Sequence, residues 1–464
     1  MTDIFIRDAD WLITVDGERR IFRSGALAIQ GDRIVAVGKT EDLEPHHSSA
    51  SRVISARGKV VLPGLIDSHI HTAFQLSRGL ADEVSAQKFL FERMYPYEGL
   101  LTEEESYWSA KLCVLELLRN GVTTFIDAGN YHPHQTACVV GETGVRCVIA
   151  KSNLDIAKSP FGSLPQTFLE TTDEALERSE EVVKKWNGAY QGRIRAWFQF
   201  RGIPNSTDRL VQRAKEMADR YRTGVQTHAC FSRDTMESCK SQFGVTEIER
   251  LHRLGALGSN VLLVHSGWIS PHELQWMKEY DVKIVSAPSS SLHNGYGCFL
   301  MGKIPEFLEM GLAVGLGSDH ASSGIVDLVQ EMTLEAGCYK EVRLNTSVMP
   351  PERVVEMATI NGARCALWEK EIGSLEVGKK ADVTMFNTRT PQWQPLYNPI
   401  SNLVYSATGS SVDTVLCDGK ILMEGRRLET LDEEEIYTHV DRLTPGILKK
   451  TNLEEKVKPR WPVL

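Results

Sequence analysis

Between about residue 60 and residue 320 the chain alternates short apolar runs with longer helical stretches, and this rhythm constrains the fold more than any other feature. The runs are "KVVLPGLID", "VTTFIDA", "VRCVIA", "RIRAWFQF", "GVQTH", "NVLLVH", "VKIVSA" and "LAVGLGSD", each with the length and composition of a strand. Helical patterns separate them at 173–188, 206–221, 245–255 and 270–280, with a last one near 352–367. One helix carries its own start and stop: "TEEESYWSAKLCVLELLRN" begins with Thr102 and Glu105 spaced as a capping box, and Gly121 ends it. Eight strands in β/α alternation predict an α/β chain of the (β/α)8 TIM-type barrel class.

The two ends of the chain have a different texture. "DWLITVDG", "GALAIQGDRIVAVG" and "SRVISA" alternate apolar and polar residues around tight breaks, and the same texture returns in "ADVTMFN" and "VDTVLCDGKILMEG". The expected organisation is therefore a split small β-sandwich domain formed by both chain ends, residues 1–59 and 376–430, around a barrel at 60–375. Residues 431–464 read as a charged helical tail ending in "KPRWPVL".

Composition excludes several function classes. A formal net charge of −9, with no basic run, gives nothing for a nucleic acid to hold. The N-terminus has acidic residues where a signal peptide needs a basic segment, and no apolar stretch approaches a membrane span. Nine cysteines without a CxxC pair suggest neither a disulfide framework nor a thiolate metal site. A reduced, cytoplasmic enzyme with a small-molecule substrate is the expectation, with no nucleic acid and no membrane as partner.

In such a barrel, chemistry sits where strands end and βα loops begin. The first strand leads into "GLIDSHIHTAF", in which His69 and His71 project from the same face because a strand repeats every two residues. The fifth ends in His228, the sixth in His265 and the eighth in Asp319. Taken singly these have bland readings: exposed histidines at strand ends, a satisfied His265, and an N-cap role for Asp319. Taken together, three imidazoles and a carboxylate at one mouth suit a single divalent transition ion such as zinc, iron(II) or cobalt, and do not suit magnesium or calcium.

These residues, with "PGLIDSHIHT", "THA", "LLVHSG", "GLGSDHASS" and "IGSLEVGKKADVTMFN", make the chain similar to the amidohydrolase superfamily over essentially its full length. The resemblance implies that His69, His71, His228 and Asp319 bind one catalytic metal and that His265 stands beside it. The fourth strand has no lysine where binuclear relatives place a carbamylated one, which favours one ion. Such an ion brings the pKa of water from far above neutrality to about 7. Asp319 would take the water's proton and deliver it to the leaving group, and His265 would polarise the carbonyl or hold the oxyanion.

One position departs from the pattern. Deaminating members of the subgroup show "HxxE" after the fifth strand, whereas here "HACFSRDTMES" puts Phe231 at the glutamate position, with Asp234 and Glu237 further on. A ring carbon of amidine type needs its ring nitrogen protonated before attack, and an ordinary carbonyl needs less help. This tilts the expectation toward an amide, urea, carbamate or thiocarbamate, and within the superfamily the chain resembles the phenylurea and molinate hydrolases. An aminohydrolase of a nucleobase or triazine ring is the alternative, and a non-catalytic scaffold is disfavoured by the intact ligand set.

For the substrate pocket the candidates are Phe231 and Trp268 as flat walls, Asn130, Tyr131, His132 and His134 after the second strand, and His293 with Asn294 after the seventh. Phe89, Phe91, Met94 and Tyr95, in a stretch resembling the subgroup's lid, read equally as core or wall. His320 is expected to point away from Asp319, as the next residue of an extended segment does. The resemblance also implies a homo-oligomer.

Overall fold

The computed structural model describes residues 2–159, 162–322 and 324–463, so Ser323 of "GLGSDHASS" and Leu464 of the tail lie outside it. Eight parallel strands run in sequence order from Leu65–Ile70 to Val314–Leu316 and form one sheet. The sheet closes on itself through Asp319, whose N–H donates to the carbonyl of His69 (2.8 Å) and whose carbonyl accepts from the N–H of His71 (2.6 Å). The barrel interior is filled by Ile66, Ile126, Val148, Trp197, Val264 and Val285. Helices cover the outside, as the right-handed β/α crossover requires.

The helix expected after "LT" runs Glu103–Arg119. Thr102 and Glu105 exchange both bonds of a capping box, and Gly121 follows the helix at φ +85°. A further helix, Arg233–Phe243, follows the fifth strand and has no counterpart among the expected elements.

The single strand read over "KVVLPGLID" is two strands. Lys59–Pro63 pairs antiparallel with Val383–Asn387 in the terminal sheet, and Leu65–Ile70 begins the barrel. Gly64 is the seam. A side chain there would collide with Thr123, since its Cβ would stand 2.1 Å from the Thr123 hydroxyl. Apolarity is continuous across the seam because both strands are buried, so composition alone does not mark it.

Both chain ends contribute to one nine-stranded sheet. Leu27 and Ile29 from the first half share an apolar cluster with Met385 and Leu416 from the second. Gly419 meets the Gly31 carbonyl so closely that a Cβ would lie 2.3 Å from it, so the sheet curls until its two hairpin turns touch. Arg146, buried at the start of the third barrel strand, ties the two parts by pairing with Asp382 (3.2 Å) and Asp418 (2.6 Å) of the terminal sheet. The tail forms a helix, Glu433–Thr451, whose Ile436, Leu443 and Ile447 pack with Trp108 and Phe89. Among the described residues no helix is long and apolar enough to cross a membrane.

Candidate active site

The strand-end residues converge. One ligand atom from each of His69, His71, His228 and Asp319 lies within 4.8 Å of every other. His69 Nε2 is 3.2 Å and His71 Nε2 3.5 Å from Asp319 Oδ1, and His71 Nε2 is 3.3 Å from His228 Nε2. The barrel-closing backbone bonds create this geometry, because they hold Asp319 between the two histidines of the first strand.

Each group is set in its ligand form. His228 donates Nδ1–H to the carbonyl of Arg201 (2.6 Å), which leaves the Nε2 lone pair facing the cluster. Burial pushes the His71 and His228 imidazoles well below their ordinary range, so both are neutral. Burial opposes ionisation of Asp319, but His320, His69 and His265 outweigh it and hold the carboxyl well below its usual range. Ser290 donates its hydroxyl to Asp319 Oδ2 at 2.6 Å and fixes the carboxylate plane. Neither buried ring nitrogen of His69 makes a well-aligned hydrogen bond, although Nε2 lies 3.2 Å from Asp319 Oδ1, and a group left so costs about 1–3 kcal/mol unless something accepts the lone pair. A cation does so. Three imidazoles and a carboxylate fit one divalent transition ion.

His265 stands beside the cluster, with Nε2 3.8 Å from Asp319 Oδ2, and burial lowers its pKa to about 4. His265 and Asp319 both adopt left-handed backbone, at φ +74° and +63°. Strain of this kind, about 1–3 kcal/mol for a residue with a side chain, collects at functional sites. It also corrects the expectation for His320. The turn at Asp319 breaks the alternation of the strand, and His320 lines the same cavity, its Nε2 3.6 Å from Asp319 Oδ2 and its ring stacked 4.7 Å from Phe89.

The cluster opens into a cavity at the mouth of the barrel. Phe231 lines it, 5.7 Å from the His265 ring, and Phe89, Phe91 and Tyr95 form the facing wall. Met94 packs instead into the apolar cluster beneath. Neither Asp234 nor Glu237 reaches the cavity, and Glu237 pairs with Arg233 on the helix surface (2.7 Å). Among the described residues Asp319 is the only carboxylate lining the cavity.

Other candidates stand elsewhere, each for a local reason. Trp268 donates its indole N–H to the Tyr296 carbonyl (2.7 Å) and packs under that loop. Asn130 is absorbed in a buried network, its amide donating to Asp127 (3.0 Å) and Thr136 (3.2 Å). Tyr131 stacks on Phe168, while His132 and His134 are turned toward Leu101 and Trp186. His293 is exposed and turns Nδ1 toward the Ser289 carbonyl (3.3 Å). Loop residues follow the packing of their own helices, which spacing does not reveal.

In their place the cavity takes Phe74, Arg201, Asn205 and Tyr296. Arg201 had a legible signal: an arginine closing the apolar fourth strand, "FQFRG", at the end where barrels carry their chemistry.

Comparison with known proteins agrees with this geometry. Residues 60–422 match the model of the amidohydrolase family, and residues 25–47 match an imidazolonepropionase-like composite domain of bacteria. The chain is 34% identical to a 5'-deoxyadenosine deaminase of Methanobrevibacter smithii, over 94% of this chain and 97% of that one. It is 34% identical to a 5-methylthioadenosine/S-adenosylhomocysteine deaminase of Moorella thermoacetica, over 95% and 99%. Its fold superposes on an adenosine deaminase from Xanthomonas campestris with bound zinc, at a TM-score of 0.90 and 24% identity, over 97% of this chain and 99% of that one.

Proposed function

The chain belongs to the amidohydrolase family and is a hydrolase of carbon–nitrogen bonds other than peptide bonds, and we propose that it releases ammonia from an amino-substituted heterocycle of nucleoside type. The observation that carries this reading is identity of about one residue in three, along nearly the whole chain, to deaminases of adenine nucleosides. The aromatic walls support it, since Phe231, Phe89 and Phe91 suit a planar ring.

His69, His71, His228 and Asp319 would hold the one divalent ion, for which we propose zinc. When bound, such an ion supplies Lewis acidity that makes water a nucleophile near neutral pH. Asp319, kept anionic and oriented by Ser290, takes the proton of the attacking water and passes it to the departing amine nitrogen. The ring carbon gains an oxygen, the C–N bond breaks, and the amine leaves as ammonia. His265, neutral and beside Asp319, orients the oxygen that develops on that carbon.

A second reading, hydrolysis of an acyl or carbamoyl carbon, is favoured by Phe231, which stands where deaminating members of the subgroup carry the glutamate that protonates a ring. A panel assayed on zinc-loaded protein separates the two. Ammonia from 5'-deoxyadenosine or another aminated heterocycle supports deamination. Amine release from phenylureas or carbamates, with no ammonia from any heterocycle, overturns it.

A further inference from the structure

Arg201 is buried at the mouth of the barrel, its side chain 4% exposed, and lines the cavity together with His71, His228 and Asp319. It closes the fourth strand, Ile194–Gly202, and its carbonyl holds His228, so its backbone is fixed by the ligand shell itself. Its guanidinium carbon lies 5.6 Å from the Phe74 ring and 5.3 Å from the Tyr95 ring. A guanidinium offers five N–H donors, and among the described residues its side chain bonds only Glu98, through Nη1. Glu98 neutralises the charge, so the pair presents oriented donors rather than an uncompensated cation. That favours a neutral acceptor over an anion.

We propose that Arg201 is a specificity-determining residue, donating to a neutral acceptor, a ring nitrogen or ring carbonyl oxygen, of the planar heterocycle in the cavity. This rests on the reading of the site as one for amino-heterocycles and names the substrate feature it selects. It also gives the site without a glutamate at position 231 another means of drawing electrons from the ring. A guanidinium polarises its acceptor by a permanent hydrogen bond and surrenders no proton.

The test is calorimetric titration of the zinc-loaded full chain with 5'-deoxyadenosine and its 1-deaza, 3-deaza and 7-deaza counterparts, each lacking one ring acceptor. At one position the wild type binds the deaza compound about tenfold or more weakly, the size of one lost bond to a charged donor. In Arg201→Gln/Glu98→Gln, which keeps a neutral hydrogen-bonding pair in the buried site, the gap narrows to about threefold at equal zinc content. Arg201→Lys preserves the ion pair without the fork and narrows the gap as well, which covers failure of the double variant to fold. Undiminished discrimination in these variants, no discrimination in the wild type, or no binding of any compound overturns the proposal. Discriminating binding without ammonia release sinks the deaminase reading while supporting the role of Arg201.

Discussion

Ser290 donates its hydroxyl to Asp319 Oδ2 at 2.6 Å, linking the helix after the seventh barrel strand to the end of the eighth. The contact orients the one carboxylate that lines the cavity among the described residues, and loss of a partner of this kind costs about 10–100-fold in metal affinity or activity. Ser290→Ala is expected to lower zinc affinity or kcat by about that factor while leaving Tm within a few degrees, checked by metal titration and calorimetry. Unchanged affinity and unchanged kcat would show that Asp319 is held by its backbone alone.

The poorly satisfied nitrogens of His69 predict how the ion and the fold are linked. Removing zinc with a chelator is expected to lower Tm by several degrees, because a ligand that binds only the folded state stabilises it by about 2.7 kcal/mol at a hundredfold excess over Kd. His69→Ala and Asp319→Ala both abolish turnover and erase that metal-dependent increment. A folded Asp319→Ala protein with normal activity would remove Asp319 from the mechanism.

Phe231 stands 5.7 Å from the ring of His265 and takes no part in the ligand cluster. Phe231→Ala is accordingly expected to change the order of preference among heterocycles while leaving one zinc per chain. Elemental analysis and a substrate panel read the two effects separately, and loss of the ion would place Phe231 in support of the ligands rather than against substrate.

Two buried carboxyls away from the metal cluster predict a pH dependence of stability. Burial pushes Glu247 up to about 7, against the hydrogen bonds of Cys230, and Glu335 up to about 8, against that of Ser286. The folded state thus holds these protons more tightly than the unfolded chain, so their contribution is complete below about pH 4.5 and is lost as pH rises through 7 and 8. Urea midpoints are expected to fall as pH rises from about 4.5 to about 8. Glu335→Gln, which keeps an acceptor for Ser286, is expected to flatten the upper part of that fall. An identical slope in the variant would mean that Glu335 ionises freely.

The sequence was most legible where a rule acts over a few residues. The capping box at Thr102 and Glu105 forms as spelled, and the two-residue period of the first strand brings His69 and His71 to one side of Asp319. It was least legible where a fragment's neighbours lie far along the chain. The same apolar texture runs through Lys59–Pro63 and Leu65–Ile70, yet one strand joins the terminal sheet and the other the barrel.

The barrel and the positions of the four candidate ligands were therefore legible in the chain itself, because strand period and strand-end position are local properties that repeat eight times over. The class of bond attacked was legible only through the resemblance of the motifs to a family. The walls of the cavity were decided only by the tertiary structure. Arg201 meets Glu98 across 103 residues, and His320 turns inward because Asp319 bends its backbone to close the barrel. Such contacts depend on how loops pack over the finished barrel, and no pattern of neighbouring residues encodes that path.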